Sequence, residues 1–149
     1  MERRKFIKNV ATSSVALATI TSLKTNLVFA DNHTSIEKKA KELTAAIKSA
    51  QAGAFKIKAP NVAENGAVVP VTLDASKMDG VEEVSILVPG NPGQPLAVSF
   101  STMNDSKAYI STRIKMGKTS PVVFLVKTNN GKYYKKEKEV KVTIGGCGG

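Results

Sequence analysis

A chain of 149 residues with 42% hydrophobic content, no tryptophan, five Phe and three Tyr has the length of one ordinary domain, with a core of small branched side chains. Its formal charge of +10 comes from 22 basic and 12 acidic residues that interleave along the chain, a solvated surface more than a nucleic-acid stripe. The single cysteine excludes an internal disulfide, and the single histidine, His33, excludes histidine-rich metal centres and a core Cys–His dyad.

Residues 1–30 read as a removable export signal. Arg3-Arg4-Lys5-Phe6-Ile7-Lys8 is a twin-arginine pattern in a charged lead, followed by a weakly apolar stretch from Val10 to about Leu23. Val28-Phe29-Ala30 supplies the small residues of a cleavage site. The apolar run falls short of the ~20 residues of a spanning helix, so no membrane anchor is expected. The segment carries five bases against one acid, which leaves 119 residues holding about +6 of the +10. A periplasmic location follows as the expectation, where a lone thiol is an accident, an intermolecular link or a working group.

Residues 31–144 form the expected domain. Asn32-His33-Thr34 matches a glycosylation sequon by chance, given the bacterial-style signal. Thr34-Ser35-Ile36-Glu37 has the form of a capping box that opens a helix. Ile36, Ala40, Leu43 and Ile47 fall on one face of that helix, which packs on its own domain, and Gly53 reads as its stop.

Seven short strands follow: Phe55–Lys58, Val69–Leu73, Val84–Val88, Leu96–Phe100, Ile110–Ile114, Val122–Val126 and Val140–Ile144. Val122–Val126 is apolar throughout, as a central strand should be. Turn signals separate them at Asn65-Gly66, Asp79-Gly80, Pro89–Gly93, Asn104-Asp105 and Asn129–Gly131. The spacing predicts a mainly β fold, an immunoglobulin-like antiparallel β-sandwich with one N-terminal helix.

Phosphate-cradling loops and nucleophile elbows are absent from the sequence. Glu82-Glu83 and the Glu137/Glu139 pair sit in lysine-rich segments and read as solvated surface. What remains is residues 145–149, Gly145-Gly146-Cys147-Gly148-Gly149. Four glycines strip every side chain but the thiol and free the backbone, which makes a slim arm with Cys147 about 10 Å beyond Ile144. Ordering five such residues costs on the order of 5–10 kcal/mol, which favours release after docking. With no adjacent base or cation, only about 3% of the thiol would be thiolate at pH 7, so activation is expected from a partner's site. The competing reading is a stray cysteine on a loose glycine end.

The run Val140-Lys-Val-Thr-Ile-Gly-Gly-Cys-Gly-Gly149 resembles the ending of the SoxY family, sulfur-carrier subunits of the periplasmic Sox thiosulfate-oxidation system. Pro60-Asn-Val-Ala-Glu-Asn-Gly-Ala-Val-Val-Pro-Val71 and Ser111-Thr-Arg-Ile-Lys115 extend the resemblance across the domain. Asn91-Pro92-Gly93-Gln94-Pro95, with its Gly-Gln, and Lys115, in place of a frequent arginine, depart from the family pattern. The resemblance implies a non-catalytic carrier without a cofactor of its own, paired with a SoxZ-like subunit. It further implies that Cys147 takes up thiosulfate-derived sulfur at a c-type cytochrome enzyme, and that a dinuclear-metal hydrolase then releases sulfate. Gly145, Gly146, Gly148 and Gly149 carry over as the arm. An exported immunoglobulin-like interaction module with an idle tail, or a thiol redox enzyme acting alone, are the alternatives.

Overall fold

The computed structural model describes residues 28–103 and 107–143. One helix, α1 (Val28–Ser49), precedes nine strands: β1 (Gln51–Ala52), β2 (Lys56–Lys58), β3 (Val62–Ala63), β4 (Val69–Asp74), β5 (Val81–Leu87), β6 (Leu96–Ser101), β7 (Tyr109–Ile114), β8 (Ser120–Thr128) and β9 (Tyr133–Val142). A single 3-10 turn, Gly66–Val68, leads into β4.

The strands make two sheets. The larger runs β1-β9-β8-β5-β6, with β3 also paired to β9; the smaller runs β2-β4-β7. Their facing sides form the main core, in which Val69, Val71, Leu73 and Ile114 of the small sheet meet Val84, Ile86, Val122, Phe124, Val126 and Val140 of the large one. This is an immunoglobulin-like β-sandwich, as the regular strand spacing predicts.

The central position of β8 explains its unbroken apolar run. Val122, Phe124 and Val126 point into the sandwich, while Val123 and Leu125 point the other way and meet Leu43 of α1 with Leu87. The helix thus covers the outer face of the large sheet, and Leu43 is 1% exposed at the centre of that second core. No helix among the described residues is long and apolar enough to cross a membrane.

The sequence expectations shift in five places. Nine strands stand where seven were expected: β1 and β3, two residues each and too short to show an apolar alternation, are held by parallel backbone pairing to β9. Among the described residues the helix already runs from Val28, so Thr34 lies inside it and the capping box is not its start. Residues 28–33 hold no glycine or proline, and helix once nucleated propagates through them. The helix ends at Ser49 and Gly53 is not its stop; the Gly53 amide donates to the Lys135 carbonyl at 3.1 Å, and the Phe55 ring lies where a Cβ would stand. β9 opens at Tyr133, seven residues before the apolar alternation that marks its end. Its Lys/Glu-rich first half is held by backbone pairing to β8 from Lys127↔Tyr133 to Ser120↔Val140, and Lys136 caps the Phe55 ring at 5.8 Å. Finally, Glu83 is buried, not solvated.

Candidate functional site

The expected arm, residues 145–149, follows β9 in sequence, so the surroundings of the end of that strand come first. Arg3 and Arg4, Gly145, Gly146, Cys147, Gly148 and Gly149 lie outside the described residues, as does Ile144; the described chain ends at Thr143, four positions before the thiol.

The root of the arm is clamped on two sides. On one, β3 runs parallel to β9, with Val62 opposite Lys141 and Ala63 opposite Val142. Lys141 N donates to Asn61 O at 2.9 Å, and Thr143 N donates to Ala63 O at 3.1 Å. The Thr143 hydroxyl reaches Glu64 O at 3.4 Å. On the other side, Val142 N donates to the Thr119 hydroxyl at 3.0 Å. The last described backbone is thereby held on both edges.

The turn after β3 locks this clamp to the small sheet. Asn65 Oδ1 accepts from Ala67 N at 2.9 Å and starts the 3-10 turn. Gly66 O accepts from Met116 N at 2.7 Å. Gly66 is buried, and a Cβ on it would come 2.3 Å from Met116 O and 3.0 Å from Val142 Cγ1. Only glycine lets the turn sit this close to the strand that carries the arm. β4 then leaves the turn and pairs with β7, Val69 opposite Ile114 and Pro70 opposite Arg113.

The two segments whose sequence carries the family resemblance outside the tail, 60–71 and 111–115, therefore meet at the arm's root. Asn65-Gly66 registers in the sequence as an ordinary turn; its role as a clamp depends on a strand 79 residues away (Ala63 to Val142). The departing turn 91–95 packs on the neighbouring loop, where Asn91 Nδ2 donates to Lys115 O at 2.7 Å and Asn91 Oδ1 accepts from Gly117 N at 2.9 Å.

A second polar cluster lies elsewhere and escaped the sequence reading. Glu83 of β5 is 8% exposed and sits beneath α1. Lys39 Nζ reaches Glu83 Oε2 at 2.9 Å, Ser99 Oγ donates to Oε1 at 2.6 Å, and Ser85 Oγ lies 3.3 Å from Oε1. Burial pushes the Glu83 carboxyl up, but the hydrogen bonds from Ser99, Lys39 and Ser85 and the Lys39 charge outweigh it and hold it below its ordinary value. For Lys39, burial pushes down, while the Glu83 hydrogen bond and charge prevail and raise it. The only sequence signal was period two: Glu83, Ser85 and Leu87 share the strand face that α1 covers. Glu83 pairs with Lys127, at the end of β8 away from Ser120 and Val140, roughly 23 Å along the strand. The cluster fastens the helix and is remote from the clamp on Val142 and Thr143.

Among the described residues, no group of three or more His, Cys, Asp or Glu could hold a metal ion.

Comparison with known proteins agrees with this geometry. The family model for the sulfur oxidation protein SoxY matches residues 40–147 and so extends to Cys147. The solved structure of the sulfur carrier protein SoxY from Chlorobium limicola f thiosulfatophilum is 39% identical, with a TM-score of 0.58, over 70% of this chain and 99% of that one. Two superoxide reductase (neelaredoxin) structures from Ignicoccus hospitalis share the fold alone. One, a point variant, is 16% identical over 67% of this chain and 87% of its own, with a TM-score of 0.53. The other is 17% identical over 66% and 87%, with a TM-score of 0.51. A search of curated proteins returned no match. The sandwich, the clamped last strand and the match through Cys147 together place the chain in the SoxY family of sulfur oxidation proteins.

Proposed function

We propose that this chain is a non-catalytic sulfur carrier of a thiosulfate-oxidising system, exported to the periplasm through the twin-arginine signal at Arg3-Arg4, with Cys147 as its covalent attachment point. The observation that carries the reading is the family match, which runs from α1 to Cys147 itself. The Chlorobium relative, a sulfur carrier, supports it at 39% identity.

In the first step, a new S–S bond joins Cys147 Sγ to the outer sulfur of thiosulfate. The thiol proton would leave to solvent and the two electrons would pass one at a time to haem groups of a c-type cytochrome enzyme and its electron acceptor, giving Cys–S–S–SO3⁻. In the second, water attacks the sulfonate sulfur at a dinuclear-metal hydrolase; sulfate and two protons leave and a persulfide, Cys–S–S⁻, remains on the arm. The haem and metals belong to those enzymes. A SoxZ-like subunit completes the carrier as a heterodimer. Gly145, Gly146, Gly148 and Gly149 keep the arm thin enough for a narrow entrance.

Intact-mass spectrometry after incubation with thiosulfate and the partner enzymes tests this. A thiosulfate-derived adduct is expected on the native protein and none on Cys147→Ser; adducts on the serine variant would refute the carrier role.

A further inference from the structure

The outer sides of the two sheets differ. The large sheet is covered by α1, whereas the outward side chains of β2-β4-β7 stay open to solvent. Val71, Leu73 and Ile114 point into the core, so the residues that alternate with them point out. Cross-strand partners in an antiparallel sheet share a side, and the register therefore sets that face out in rows. One row is Lys58, Thr72 and Ser111; the next is Pro70 and Arg113. Contiguity of these side chains follows from the pairing itself.

Between the two cations lies a pair of hydroxyls. Thr72 Oγ1 and Ser111 Oγ are 3.1 Å apart and share one hydrogen bond. Whichever of them donates, the other keeps its own proton for a bond outside the pair. Pro70, Ser111, Thr112 and Arg113 line a shallow depression of about 490 Å³ there. Arg113 follows Ser111 on the same face, about 7 Å along β7, and Lys58 stands across β4, about 10 Å from Ser111 between backbones. Neither cation has an ion-pair partner among the described residues. Asp74 is the one acid of these three strands, and it sits opposite Tyr109, about 14 Å along β7 from Arg113. Its carboxylate accepts from the Ser76 amide and hydroxyl, with Lys56 as its cross-strand neighbour.

A guanidinium fork, an ammonium and a spare hydroxyl around one depression are the donor set of a small divalent oxyanion. We propose that Arg113, Lys58 and the Thr72–Ser111 hydroxyl pair bind a tetrahedral sulfur oxyanion, thiosulfate or sulfate, without a covalent bond. The donors select shape and charge. The choice of sulfur as the central atom rests on the carrier reading, in which thiosulfate is consumed and sulfate released. The site belongs to the folded domain and needs no thiol, so the chain holds a small ion in free exchange as well as the sulfur carried on Cys147.

The test uses the mature chain with Cys147 alkylated by iodoacetamide, so that thiol chemistry contributes nothing. Backbone amide shifts are followed by NMR as sodium thiosulfate, sulfate or phosphate is added, against sodium chloride at equal ionic strength. Saturable shifts centred on Thr72, Ser111, Thr112 and Arg113 are expected with thiosulfate and sulfate, with a Kd on the order of 1 mM, and none with chloride. The sulfur ion that binds more tightly is the resident ligand, and phosphate binding alongside both would support the shared shape. Arg113→Gln and Thr72→Val/Ser111→Ala should each raise the Kd about tenfold, while Lys132→Gln, in the turn between β8 and β9, should leave it unchanged. Equal shifts with chloride, or a loss with Lys132→Gln as large as with Arg113→Gln, would overturn the site, because a diffuse field would then account for the binding. Saturation by phosphate alone would overturn the assignment to sulfur oxyanions. Adducts on Cys147→Ser in the intact-mass assay would instead strike at the carrier reading and leave this binding in place, so the two failures are distinguishable.

Discussion

Removing the charge of Glu83 isolates what fastens α1 to the sheet. Glu83→Gln keeps the size of the side chain and an oxygen for Ser99, but leaves Lys39 facing a neutral amide. Deleting one member of a fully buried ion pair costs about 3–5 kcal/mol. The Lys39 side chain keeps 32% of its exposure and can turn towards water, which brings the expected loss down to about 2 kcal/mol. Lys39→Met retains the aliphatic stem over the sheet and should cost about 1–2 kcal/mol. The double variant should recover part of the sum, with a coupling of about 1–1.5 kcal/mol in a urea-denaturation cycle at pH 7. The pH dependence has a fixed sign. The native carboxyl titrates below its unfolded value, so its contribution is complete above the unfolded pKa of ~4.3 and is lost as pH falls through the lower native one. Glu83→Gln should therefore flatten the acid limb of the stability profile. A coupling under about 0.3 kcal/mol together with an acid limb identical to the native one would show that the pair is not what holds the helix.

Two further substitutions probe the other contacts. Leu43→Ala empties the centre of the helix–sheet core and should lower stability by about 3 kcal/mol in the same denaturation assay. Gly66→Ala drives a methyl into the Met116 carbonyl and the Val142 side chain and should cost about 2 kcal/mol. Faster hydrogen exchange at the amides of Lys141 and Thr143 should accompany it, and native protection there would refute the role of Gly66 in closing the clamp.

The strands that face a core on one or both sides could be read directly. Val69–Leu73 and Ile110–Ile114 alternate because one face is buried, and Val122–Val126 does not because both are. The first half of β9 could not be read this way, since Lys135 to Glu139 owe their place to backbone pairing with β8, which no side-chain pattern records. Glu83 hid for a related reason: a carboxylate beside lysines looks solvated until the fold brings Lys39 and Ser99 over it from other elements. For the proposed attachment point, Cys147 and its glycines stood out in the sequence because no phosphate-cradling loop or nucleophile elbow competes with them. The clamp at 61–66 did not, because its partner strand is distant in sequence and the glycine at its centre is fixed by a contact, not by a turn.

The way β9 is bonded also governs how the domain answers to traction. In the carrier role proposed above, an enzyme that held Cys147 and drifted away would pull β9 along its own axis. Its hydrogen bonds to β8, β1 and β3 run across that axis, so a pull from Thr143 loads many of them together in shear instead of opening them one after another. Each is worth only about 1 kcal/mol, but a row that must give way at once resists far more than a row that unzips. In that proposed role, β9 would stay in register through repeated pulls at its end.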